Sequence, residues 1–166
     1  MKLVKPKTDS RNVQAWTNEK QRRAVADALG VMLASTYSLY VKSLFYHWNV
    51  TGPNFHSLHA LFEEHYQDLH AAGDDLAERI RALGFFTPGT LKAFSDMSVI
   101  RDDDKLPDNS NGMLESLRAA HDICSREARN TLEVAEKVGD EVTIDMMVER
   151  MRFHDEAAWM LSASLA

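Results

Sequence analysis

The feature that most constrains this chain is its punctuation: Gly52-Pro53, Gly84 and Gly139 interrupt long stretches of unbroken helical periodicity. From about Asn18 to Val50, the residues Leu29, Met32, Leu33, Thr36, Leu39, Tyr40, Ser43, Leu44 and His47 recur at three- and four-residue steps, the spacing of one helix face. Gly52-Pro53 stops that helix, and a second follows from about Phe55 to Leu83 with Gly84 as its C′ residue. So short a link makes the two helices antiparallel neighbours. A third pattern spans Ser110 to Val138 and stops at Gly139; Thr143 is the expected cap of a fourth that reaches almost to the C-terminus. Between the second and third helices lies a long connection. Within it "PGTLKAFSDM" predicts a short helix behind a proline, and Arg101 to Lys105 reads as a solvated loop whose aspartates lack calcium-loop spacing.

Short link, long link, short link predicts an all-α fold: a ferritin-like four-helix bundle whose long crossover carries a short helix between helices two and three. Residues 17–166 form the bundle domain, preceded by a basic tail at 1–16 that is expected to be flexible. A chain of 166 residues suits one core. No apolar run approaches about 18 uninterrupted residues, and the N-terminus has no apolar signal region, so neither a membrane span nor secretion is expected. The single cysteine, Cys124, reads as a small buried apolar residue and fits a reducing cytoplasm. The formal charge of -6 argues against a nucleic-acid-binding surface over the folded body. In the tail, by contrast, Lys2, Lys5, Lys7 and Arg11 face only Asp9.

The second helix carries four of the seven histidines. At 100° per residue, with His59 at the origin, Glu63 falls at about 40°, Asp74 at about 60° and Glu78 at about 100°, so all four share one stripe. Each pair, His59 with Glu63 and Asp74 with Glu78, has the i, i+4 spacing that lets two side chains approach one ion. The two pairs cannot meet within one chain, because His59 and Asp74 stand about 22 Å apart along the axis. Two copies packed antiparallel across a two-fold axis remove the difficulty, since a self-complementary interface presents each half to the other and yields two equivalent sites. Imidazole with carboxylates suits iron(II), manganese or zinc, and the lack of thiolate argues against structural zinc. Set against this, a stripe of His, Glu and Asp is more often a solvated face.

The stretch "YHWNVTGPNFHSLHALFEEHYQDLHAAGDDLAERIRALG" strongly resembles the Dps family, the mini-ferritins named as DNA-binding proteins from starved cells. The family intervals fall on His47, His59, Glu63, Asp74 and Glu78, with Glu63 where several members carry Asp. "TPGTLKAFSDMS" and "FHDEAAWMLSASL" are also similar to the family, and the likeness runs from about Gln21 onward. The resemblance implies a hollow homo-dodecamer with ferroxidase centres at its two-fold interfaces. His47, His59 and Glu63 would come from one subunit, Asp74 and Glu78 from its mate. It implies iron(II) oxidation, with hydrogen peroxide preferred over oxygen, and ferric mineral stored inside. Trp48, beside His47, becomes either an electron donor to the centre or an aromatic core anchor. Glu136, Glu141 and Asp145 become acids lining three-fold pores, although acids early in a helix also favour its dipole. No haem is expected. The tail resembles those through which some relatives bind DNA, which would make the protein cytoplasmic and nucleoid-associated.

His70 lies on the stripe as an interface residue or auxiliary ligand. His65 is expected in the core or on the opposite surface, and His56, His121 and His154 are expected to be structural. Met146, Met147 and Met151 read as core or interface fillers. A bacterioferritin or bundle oxidase would use Glu-x-x-His, and no glutamate here has a histidine three residues later. An architectural DNA-binding protein with incidental metal affinity is the remaining alternative; many tails on one particle would supply avidity.

Overall fold

The computed structural model describes residues 3 and 17–165. Within them the chain forms five helices: α1 (Glu19–Asn49), α2 (Phe55–Ala82), α3 (Leu91–Met97), α4 (Ser110–Glu136) and α5 (Glu141–Ala163). The basic residues Lys2, Lys5, Lys7 and Arg11 lie outside the described residues. Leu3 is buried against α1, where its N–H donates to Asp27 Oδ1 and its carbonyl accepts from Arg23 Nη1.

The helix ends follow local chemistry. Asn18 and Gln21 form a reciprocal capping box at the start of α1, with bonds of 3.0 and 3.2 Å. Gly84 and Gly139 take φ of +91° and +69°, left-handed values that end α2 and α4 as their positions predict. The short crossover helix starts at a threonine cap rather than at the proline: Thr90 Oγ1 accepts from the Ala93 N–H. Asp140, not Thr143, caps α5. Its Oδ1 accepts from the Thr143 N–H, while Thr143 Oγ1 donates to Oδ2 at 2.7 Å. The acid holds the cap because a cation from another helix neutralises it there. Arg79 Nη2 on α2 lies 2.5 Å from Asp140 Oδ1, and both side chains are buried. Removing one partner of such a pair costs about 3–5 kcal/mol.

α1 packs on α2 and α4, α4 pairs with α5, and α3 lies on α1. Their inward stripes meet in one core, in which Leu33 and Leu39 of α1, Phe62 and Leu76 of α2, Leu117 of α4 and Met147 of α5 are almost wholly excluded from solvent. Each such side chain stabilises the fold by about 1.5–3 kcal/mol. α1 is long and apolar enough to cross a membrane by length and composition, but 56% of its apolar window is buried inside the bundle. Its hydropathy is thus that of a core helix, and its polar residues mark the reason: Lys42 reaches out to Asp103 of the crossover at 3.0 Å. Asp103 also accepts from Ser116 and from the Tyr46 hydroxyl. The crossover therefore clamps the last turns of α1, the place where His47 stands.

Candidate metal centre

His47 sits in the last turn of α1 and His59 in the second turn of α2, facing each other across the Gly52-Pro53 link. Each ring Nδ1 lies 2.8 Å from the other residue's backbone carbonyl oxygen. A carbonyl can only accept, so both Nδ1 atoms carry the proton, and in the neutral rings both Nε2 atoms keep a lone pair. The His47 carbonyl is available because those of a helix's last turn have no partner within the helix, whereas the interior His59 carbonyl takes the ring N–H as a second donor. The two rings stack, centroids 3.7 Å apart and 20° from parallel, with Phe55 stacked on the far side of His59 at 5.0 Å. Two imidazoles are thus held stacked, each ring donating Nδ1–H to a backbone carbonyl, the bond that metal-ligating histidines commonly make.

One turn along α2, Glu63 is held through a single oxygen. Tyr66 Oη and Gln67 Nε2 both donate to Oε1 at 3.1 Å, which leaves Oε2 without a bond from a described residue. Asp74 and Glu78 lie further along the same face, exposed and with no hydrogen bond or ion pair to any described residue. Among the described residues, no three His, Cys, Asp or Glu side chains within the chain converge as an ion-binding group. The structure therefore brings His47 and His59 together, connects Glu63 to them only through Tyr66, and leaves Asp74 and Glu78 apart from all three.

The other candidates divide clearly. Trp48 is 68% exposed, which overturns the reading of it as a core anchor. Glu136 at the end of α4, Glu141 at the start of α5 and Asp145 one turn later are all exposed around the α4–α5 turn. His70 is exposed, its ring 5.6 Å from that of Tyr40. His65, His121 and His154 are core residues, and Nδ1 of His121 lies 3.0 Å from Nδ1 of His154. Burial lowers the pKa of His65 to about 4 and, aided by Arg150, that of His154 to about 3. Burial and then His154 hold His121 well below the ordinary range. All three are therefore neutral at physiological pH. Cys124 is wholly buried, its thiol pushed up to about 12 by burial.

The family profile described as the ferritin-like domain matches residues 26–166. A low temperature-induced protein of Nostoc sp. is 35% identical over 86% of this chain and 80% of its own. DNA protection during starvation protein 2 of Bacillus anthracis is 31% identical over 86% of this chain and 97% of its own. The crystal structure of the Dps protein from Vibrio cholerae O1 superposes with a TM-score of 0.85 at 32% identity, covering 90% of this chain and 93% of that one. The chain belongs to the Dps family of ferritin-like proteins.

Two features of this Dps chain escape a reading of ligand types alone. Tyr66 and Gln67 fix Glu63, and Tyr66 stands edge-on to His47 with centroids 5.1 Å apart. The signal for Tyr66 is present in the sequence: it lies three residues after Glu63 on the stripe, at about -20° from His59. The clamp of Tyr46, Lys42 and Ser116 on Asp103 has no such local signal, because its members come from three separate segments.

Proposed function

We propose that the protein is an iron-storing ferroxidase. It oxidises iron(II) with hydrogen peroxide at centres shared across two-fold interfaces and stores the ferric product within a dodecameric shell. The observation that carries this is the reciprocal His47–His59 bonding. It leaves both Nε2 atoms free one turn before Glu63, whose Oε2 has no bond from a described residue, while Asp74 and Glu78 stand on the same face without a described partner. A Vibrio cholerae relative is described as a member of a broad superfamily of ferritin-like diiron-carboxylate proteins, which supports the same chemistry.

Iron(II) is the substrate. Two iron(II) ions reduce one peroxide and two protons to two water molecules, whereas one ion alone releases hydroxyl radical. Glu63, Asp74 and Glu78 together bring negative charge that favours the more highly charged product. Glu136, Glu141 and Asp145, repeated around a three-fold axis, concentrate cations at an entrance. The work belongs in a reducing cytoplasm that supplies iron(II). Asp74→Ala combined with Glu78→Ala should abolish peroxide-driven iron oxidation and leave the helical circular dichroism of the subunit unchanged, because neither side chain is bonded within it. Retained oxidation in that variant would refute the centre.

The Bacillus anthracis relative is named for DNA protection, and the Lys2, Lys5, Lys7, Arg11 cluster favours DNA contact here too. Duplex DNA should be retarded in a gel at low salt, and removing residues 1–11 should abolish the shift. Equal retardation by the shortened chain would take the tail out of this role.

A further inference from the structure

A row of tyrosines runs along the seam between α1 and α2. Tyr66 starts it, bonded to Glu63 and edge-on to His47. The Tyr40 ring lies 6.2 Å from Tyr66, centroid to centroid, and 6.2 Å from Tyr37, both edge-to-face. Tyr37 rests on Gly73, where a β-carbon would come within 3.0 Å of the ring. Gly73 precedes Asp74. The glycine therefore lets the last ring of the row pack onto the α2 backbone one residue before Asp74, while the first ring meets Glu63 and His47. All three rings are half-buried. We propose that Tyr66, Tyr40 and Tyr37 form a one-electron path joining the two half-centres of each chain, and so the two metal centres of each two-fold pair.

This inference rests on the ferroxidase reading and adds a function to it. When one centre holds a single iron(II), peroxide takes one electron from it, giving iron(III), hydroxide and hydroxyl radical. Tyr66 then gives an electron and its phenolic proton to that radical, forming water and a tyrosyl radical. The electron vacancy passes through Tyr40 to Tyr37, each half-buried phenol exchanging its proton with water. Iron(II) at the second centre fills it, and the phenol regains a proton. The sum is two iron(II), one peroxide and two protons converted to two iron(III) and two water molecules. A lone ion at each centre is thereby made safe, since two separated ions act as one pair of electrons.

Tyr40→Phe breaks the row at its middle while keeping the ring and its packing. Assembled protein loaded with one iron(II) per centre is mixed with hydrogen peroxide. Hydroxyl radical is read with a spin trap, and tyrosyl radical by electron paramagnetic resonance. The wild type should show a transient tyrosyl signal and little trapped radical. Tyr40→Phe should give several-fold more trapped radical, yet oxidise iron at the wild-type rate when iron is in excess. Equal trapping in both proteins, or no tyrosyl signal in the wild type, would reduce the row to packing and overturn the path. A wild type that oxidises no iron with peroxide would instead overturn the ferroxidase reading, and the path with it.

Discussion

At the scale of single residues, the stripe of His59, Glu63, Asp74 and Glu78 was legible because it needs only the helical repeat. His47 was reached through resemblance alone. It belongs to another helix, and its pairing with the His59 carbonyl depends on where α1 ends relative to α2. His121 and His154 were read as structural and His65 as a core or surface residue, but their cluster was not foreseen, since the three come from α4, α5 and α2. That cluster has a consequence for stability. His121 and His154 are neutral in the fold, surrounded by one another, His65 and Arg150, and they take up protons near pH 6.5 when unfolded. The unfolded state therefore binds more protons below that pH, and stability falls as the solution is acidified. The contribution is fully present above about pH 6.5 and is lost as pH falls toward about 3, where His154 protonates in the fold, at up to about 1.4 kcal/mol per pH unit for each histidine. Urea midpoints taken across this window should drop more steeply for the wild type than for His154→Leu. Parallel profiles would show that the pair carries no proton linkage.

At the scale of elements, the breaks carried most of the information. Glycines able to adopt positive φ fell where α2 and α4 end, whereas the Asn18–Gln21 capping box at the start of α1 was not anticipated. The cap of α5 was misread for a reason that no local rule contains. Thr143 is a good capping residue by type, but Arg79, 61 residues before Asp140, makes the acid tolerable in a buried turn and hands it the role. The threonine hydroxyl then serves the acid, accepting from Arg79 Nε at 3.0 Å and donating onward to Asp140. One ion pair so ties the end of α2 to the beginning of α5, fixing Glu141 and Asp145 relative to the helix that carries Asp74 and Glu78. The crossover does the same at the other end of the bundle, where Asp103 holds α1 beside its last histidine.

At the scale of the whole molecule, one chain closes a single core, whereas the proposed centre needs a second copy. Several large apolar residues remain exposed on the single chain, among them Trp48 at 68%, Phe55 at 45% and Trp159 at 67%. The central claim, that each centre is built from two chains, has a direct test in complementation. His59→Ala loses the histidine half of every centre and Asp74→Ala the acid half, so shells made of either variant alone should not oxidise iron(II) with peroxide. In shells assembled from an equal mixture, each mixed two-fold pair joins the intact acid half of one chain to the intact histidine half of the other. About a quarter of all centres should then be restored. Measured oxidation rates near that fraction of the wild-type rate are the result this account predicts. Mixed shells as inactive as their parents would contradict it, because they would mean that the two halves never meet across chains.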